Sequence, residues 1–178
     1  MENSTNNVNH YAMYFGAYMG IFWVLKFILF PLGFSMPFLF VLFVILTLIV
    51  PFLGYYYGVL YRDRGRGGSI TFSQSFMFLF LMYAYASLIA AMAHYVYFEF
   101  IDNGFIVESY KKMIDILTEQ PNMPAEQIEA AKLQVANFSN LSSIQITLQV
   151  LNMDIMICAI IGAISSFFLM RDKKEQTM

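Results

Sequence analysis

The chain has 178 residues, 59% of them hydrophobic and 12% charged, with a mean hydropathy of +0.60 and a formal net charge of −2. A soluble domain of this size carries about 25% charged residues, so the composition excludes a soluble globular protein and is that of an integral membrane protein. No strongly basic surface points to nucleic acid, and the single cysteine, Cys158, excludes an intramolecular disulfide and a cysteine-based metal site.

Residues 1–10 are polar and rich in Asn, with Glu2 and no Lys or Arg. They lack the basic n-region of a cleaved signal, and a short frayed tail is expected. The first apolar run, residues 11–34, is long enough to cross about 30 Å of hydrocarbon as a helix. Gly16 and Gly20 form a small-xxx-small pair that lets another backbone approach. Pro31, Gly33 and Pro37 bracket a very short connection. The second span, residues 37–61, contains Pro51, which removes the backbone bond to Thr47 and predicts a kink. Gly54 and Gly58 make a second close-approach pair, and Tyr55, Tyr56 and Tyr57 read as an interfacial aromatic belt, with a ligand cage as the alternative.

Residues 61–71, Tyr61-Arg62-Asp63-Arg64-Gly65-Arg66-Gly67-Gly68-Ser69-Ile70-Thr71, are the long polar break between apolar runs and hold three of the ten Lys and Arg. Arg-Gly-Arg-Gly-Gly is similar to an RNA-binding repeat, but one copy beside a bilayer reads more simply as a flexible loop. Its Arg62, Arg64 and Arg66 are then candidate contacts to anionic membrane lipids. Thr71-Phe72-Ser73-Gln74 fits a capping box, so the third span begins near Phe72 and runs over residues 72–100. Along it Tyr83, Ser87, Ala90 and His94 recur at helical spacing among many alanines, which marks the central helix of a bundle.

In residues 101–143 the composition turns acidic, against Lys111, Lys112 and Lys132. Ile106, Tyr110, Met113 and Leu117, with Val107 and Ile114, share one helical face, and Glu108, Lys111, Lys112 and Asp115 the other. Pro121 and Pro124 punctuate, and Ile128, Ala131, Val135 and Phe138 repeat on a second helix. An amphipathic hairpin is expected, lying on the membrane or against the spans, with a partner-binding surface as the competing reading. The fourth span, residues 144–170, carries Gln145, Gln149, Asn152, Met156, Ala159, Ala163 and Ser166 in a narrow stripe, expected to face other helices, with Asp154 opposite. The triplets at Asn3, Asn137 and Asn140 match the glycosylation acceptor pattern, but nothing else suggests a eukaryotic secretory route.

The expected fold class is therefore an all-α membrane protein: one membrane domain over residues 1–178, with four transmembrane helices and an extramembrane hairpin between spans three and four. Arg62, Arg64 and Arg66 are separated from Arg171, Lys173 and Lys174 by two spans, so both basic clusters fall on one side. Cytoplasmic flanks collect Lys and Arg, which places both termini in the cytoplasm and residues 101–143 in the periplasm of a Gram-negative cell.

Four ionisable residues lie within the spans, all in the half toward the hairpin. Lys26 is expected about a turn and a half inside the end of span one, His94 and Glu99 near the end of span three, and Asp154 about a turn into span four. A charge in lipid costs at least about 2.5 kcal/mol on insertion scales. One reading is structural: a Lys26–Asp154 ion pair, a hydrogen-bonded His94 and Glu99 at the headgroups. The other is a polar pocket open to the outside that binds a headgroup or relays protons through His94. No metal-ligand spacing, nucleophile motif or phosphate-cradling loop accompanies them, so neither a catalytic residue nor a cofactor is expected.

Tyr61-Arg62-Asp63 followed by Gly68-Ser69-Ile70-Thr71-Phe72-Ser73-Gln74-Ser75-Phe76, then Pro124-Ala125-Glu126-Gln127-Ile128-Glu129 after an amphipathic helix, then Gly162-Ala163-Ile164 with Ser165 and Ser166 before a basic end, form a recognisable order. In it the chain resembles the uncharacterised four-span inner-membrane proteins of Gram-negative bacteria grouped as a domain of unknown function. The resemblance covers nearly the whole chain and carries over no site residue. It implies an envelope location and a membrane-protein partner, of which a polyprenyl-phosphate glycosyltransferase is one. The expected function is a non-catalytic accessory or scaffold subunit of an envelope complex. The alternatives are a small transporter or ion pathway using Lys26, His94 and Asp154, and a membrane enzyme acting on a lipid headgroup.

Overall fold

A peptide group inside a bilayer has no water to bond, so it must be satisfied within its own chain, and this chain answers with helices. The computed structural model describes residues 2–118 and 124–171, with side chains from Asn7 onward. In order these residues form α1 (Glu2–Gly33), α2 (Pro37–Leu60), a π-helical turn (Tyr61–Gly65), α3 (Phe72–Phe100), α4 (Phe105–Thr118), α5 (Ala125–Ser139) and α6 (Ser143–Leu169). Four of the helices, α1 from Asn7, α2, α3 and α6, are long and apolar enough to cross a membrane. The protein is a multi-pass, all-α membrane protein with a helical hairpin, α4 and α5, between the third and fourth spans. Pro121 and the basic residues beyond Arg171 lie outside the described residues.

The expected frayed tail is helical: α1 starts at Glu2 and continues into the apolar run. α1 ends at Gly33, and Pro37 opens α2 after Met36 in an extended conformation (φ −132°, ψ 90°), as the residue before a proline prefers. α2 passes through Pro51 as one uninterrupted helix, with Thr47 donating its hydroxyl to the Phe43 carbonyl at 2.8 Å. At the start of α3 the capping box forms as expected. The Thr71 N–H donates to Gln74 Oε1 at 3.2 Å, and the Gln74 N–H to Thr71 Oγ1 at 3.4 Å.

The chain divides into two compact units, residues 1–90 with 151–178, and residues 91–150. In the first, Ala12, Phe15, Met19 and Trp23 of α1 are buried at steps of three and four, as are Val50, Gly54 and Gly58 of α2. From α3 the unit buries Phe78, Leu79, Met82, Tyr83, Ala86, Ser87 and Ala90. Of the four spans α3 is the most enclosed, with 44% of its most apolar window buried against 11–28% for the others, which makes it the central helix. Phe78 stacks on Tyr61 (4.3 Å between centroids) and meets Phe15 edge-on.

Lipid tails are as apolar as leucine, so these spans are held by close packing rather than by hydrophobic transfer. The glycine pairs supply the closeness. A Cβ on Gly16 would lie 2.8 Å from the Met82 carbonyl oxygen and 2.8 Å from Tyr85 Cβ, and one on Gly20 would lie 2.9 Å from Ile89 Cβ. Gly54 lies directly beneath the Tyr83 phenol and Gly58 beneath Leu169.

The polar loop after α2 reverses through Gly67 (φ 67°) and Gly68 (φ 86°), with the Gly68 N–H bonded to the Arg62 carbonyl at 2.9 Å. Ile70 then pairs with Arg171 in an antiparallel bridge, both N–H···O distances being 3.0 Å. This puts the loop and the end of α6 at one end of the first unit, as the charge pattern requires.

In the second unit, the Asp102 carboxylate closes the start of α4 from two residues before its N-cap position, accepting from the Gly104 N–H (3.2 Å) and the Ile106 N–H (3.1 Å). Ile106 and Ile114 of α4 are buried, and Ile128, Ala131, Val135 and Phe138 of α5 are half-buried. Burial raises the Tyr110 phenol above its ordinary range. A second capping box opens α6, the Ser142 N–H donating to Gln145 Oε1 at 2.9 Å and the Gln145 N–H to Ser142 Oγ at 3.4 Å.

The stripe on α6 departs from expectation. Gln145, Gln149, Asn152 and Met156 are exposed, and burial falls on Ile146, Thr147, Cys158, Gly162, Ser165, Ser166 and Leu169. Close packing selected the face with glycine, serine and cysteine, on Asp154's side, over the face with long amides.

The packing separates two glycines experimentally. Gly16→Ala should lower thermal stability by about 1–3 kcal/mol, the usual cost of overpacking. Gly162→Ala, whose Cβ would meet Leu79 Cβ at an ordinary 3.6 Å, should be nearly neutral. Thermal unfolding of the detergent-solubilised variants reads the difference.

Candidate functional site

Lys26 lies seven residues before the end of α1 and Asp154 eleven after the start of α6, about two and three helical turns in. Both are deeper than expected. Lys26 and Asp154 belong to the first unit and interact electrostatically, but their charged atoms are not within 4.0 Å, and the direct ion pair that forms among the described residues is Arg62–Asp63. The structural reading of Lys26–Asp154 as a contact pair is therefore corrected to a separated pair.

The Lys26 ammonium instead faces rings, 5.1 Å from the Phe43 centroid and 5.8 Å from that of Trp23. Aromatic faces attract a cation within about 6 Å, the more so when it is desolvated. Trp23 in turn stacks on Tyr83 (6.2 Å, 19° between planes). Both rings are buried, and neither the Trp23 Nε1–H nor the Tyr83 hydroxyl has a hydrogen-bond partner. Asp154 stands one helical turn before the buried Cys158 and interacts with it electrostatically.

The cluster thus joins an ammonium, a carboxylate, a thiol and two unpaired donors in the interior of a membrane bundle. Chemically the carboxylate and thiol are groups that exchange protons, and the indole and phenol are hydrogen-bond donors left without an acceptor. Trp23, Phe43, Tyr83 and Cys158 were not among the expected site residues. Two of them carry a signal in the sequence, Trp23 three residues before Lys26 and Cys158 four after Asp154, spacings that share a helix face.

His94 and Glu99 belong to the second unit. His94 is buried and Glu99 exposed, and five residues apart on α3 they project from different faces. A shallow groove between α4 and α5 has Ile114, Val135 and Ala136 in its wall, with Lys111, Asp115, Lys132 and Ser139 around it.

The candidate lipid contacts differ from one another. Arg62 is held by Asp63, with Nε–Oδ1 at 2.8 Å and Nη2–Oδ2 at 3.4 Å; Arg64 is exposed and Arg66 half-buried.

A double-mutant cycle tests the separated pair. Lys26→Met or Asp154→Leu alone strands the other charge, whereas the double variant removes both. Thermal stability of the double variant should exceed that of either single, with a coupling of about 0.5–3 kcal/mol; additive losses would mean that the two charges do not interact.

Searches of curated proteins and of solved structures returned no match. A family profile described as "protein of unknown function (DUF4199)" matches residues 14–171, from the first quarter of the first span to the bridge residue after the last. With most of its length covered, including most of the first span, the other three spans and the hairpin, the chain belongs to the DUF4199 family.

Proposed function

We propose that this protein is a non-catalytic accessory subunit of a bacterial inner-membrane or envelope complex, its extramembrane hairpin the element that meets the partner. The observation that carries this reading is the apolar surface left on that hairpin. With Ile106 and Ile114 turned inward, α4 still exposes Met113 at 43% and Ile116 at 62%, and α5 exposes Leu133 at 63%. Outside the hydrocarbon such residues are covered by a protein or rest at a lipid surface. The charged side chains Glu108, Lys111, Asp115, Glu129 and Lys132, all exposed, supply the polar rim of a protein interface.

The distribution of Arg and Lys supports a cytoplasmic loop at residues 61–71 and cytoplasmic termini, with the hairpin in the periplasm. A reporter fused at Gly67 should remain cytoplasmic and one at Pro124 should be exported; the reverse pattern would invert the topology. Affinity purification from native membranes in mild detergent, read by mass spectrometry, should recover one specific membrane partner. A polyprenyl-phosphate glycosyltransferase would match the class implied by resemblance. The triple variant Met113→Ser, Ile116→Ser, Leu133→Ser should lose that partner at least about tenfold, since 1.4 kcal/mol suffices for a factor of ten. Recovery of this chain alone from native membranes would overturn the reading.

The cluster around Lys26 favours a second reading, a proton or ion pathway through Lys26 and Asp154, to which the sequence adds His94, a residue of the other unit. In that case Asp154→Asn or His94→Ala abolishes flux into liposomes while the protein still folds; unchanged flux would remove it.

A further inference from the structure

The face that α6 leaves uncovered is unlike the other lipid-facing surfaces of the chain. Gln149 and Asn152 are both exposed and, three residues apart, share one side of the helix. α6 is 27 residues long, about 40 Å against about 30 Å of hydrocarbon. With the overhang shared between its ends, Asn152 sits about 8 Å inside the hydrocarbon and Gln149 nearer the boundary.

Thr47 and Tyr18, two other exposed polar side chains on the spans, have partners within the chain. Thr47 donates to the Phe43 carbonyl at 2.8 Å and Tyr18 to the Tyr14 hydroxyl at 3.2 Å. Among the described residues neither the Gln149 nor the Asn152 amide makes a hydrogen bond. A bilayer cannot supply one, and an unsatisfied amide in hydrocarbon costs several kcal/mol.

We infer that this face of α6 seats the same face of a second copy of the chain, with the Asn152 and Gln149 amides paired across a two-fold axis along the membrane normal. Three features select a second copy. A carboxamide carries both donors and an acceptor, so two identical amides satisfy each other. Copies inserted with one topology present Asn152 at one depth, so a symmetric pair brings each amide opposite its twin. The stripe continues through Met156, Ala159 and Ala163 at alternating steps of four and three, the seam of two parallel helices in left-handed contact. Near its other end Ser166 is buried in the chain's own bundle, so the contact is made by the half of α6 nearer Ser143. This goes beyond the accessory reading and stands without it, because the hairpin that meets another protein and the helix face that meets a twin are different surfaces.

The test uses the full chain in native membranes. In a Cys158→Ala background, Met156→Cys, exposed on the same stripe, should give a cross-linked dimer under mild oxidation, and Leu48→Cys, exposed on α2, should not. Separately, the wild-type chain in native nanodiscs should be dimeric by photobleaching steps. Gln149→Leu with Asn152→Leu should lower the dimer fraction about tenfold at unchanged helicity and expression, and Asn152→Gln should retain the dimer. The inference is overturned if Met156→Cys fails to cross-link, if it joins a protein of different mass, or if the Gln149→Leu, Asn152→Leu variant stays dimeric. Loss of the hairpin partner leaves this dimer intact, so the two readings fail separately.

Discussion

Hydrocarbon has no hydrogen bond to offer, and the architecture follows from how the chain meets that constraint at the ends of its helices. Each helix start exposes N–H groups that nothing inside the helix can accept. Pro37 begins α2 with a residue that has no N–H. Thr71 with Gln74, and Ser142 with Gln145, close the starts of α3 and α6 with reciprocal side-chain bonds. The buried Asp102 does the same for α4. α5, like α2, begins without a side-chain cap; its first residues are exposed, where water serves.

Once the backbone is satisfied, the spans need a reason to stay together, and glycine provides it by admitting large partners. The Tyr83 ring occupies the space above Gly54 and from there stacks on Trp23, whose other neighbour is the Lys26 ammonium. The candidate site is therefore a by-product of close approach: a bulky aromatic is drawn over a glycine, and its hydroxyl arrives in a region with no bond to make. Packing density and polar frustration have one origin here.

Much of the fold could be read directly because its signals are local. Span lengths, the Thr71 capping box, the hairpin and the central place of α3 each depend on a few residues in one segment. What could not be read is which face of α6 turns inward. Two stripes compete there, one of amides and alanines and one through Asp154, Cys158 and Gly162, and both have the right period. The choice depends on the shape of the neighbours, Leu79 against Gly162 for example, which periodicity does not encode. The site was half legible for the same reason. Lys26 and Asp154 stand out as charges in apolar runs, and Trp23 shares a helix face with Lys26, but Phe43 and Tyr83 look like any other aromatic until packing sets Phe43 beside the ammonium and Tyr83 on Trp23.

The small bridge between Ile70 and Arg171 has a consequence for how the molecule is made. It joins backbone positions about a hundred residues apart, and the first unit is split in the sequence, with residues 91–150 lying between its two parts. The ribosome therefore delivers two spans and most of a third before the segment that completes their unit exists. Until α6 arrives, Gly58 has no Leu169 above it, and the loop at residues 61–71 lacks the edge that pins it. Entropy tolerates the delay, because the cost of closing a long excursion grows only with the logarithm of its length. The part of the intervening segment between the two spans, residues 101–142, can therefore vary in length at small entropic cost, whereas the last few residues of the final span supply the partners of Gly58 and Ile70.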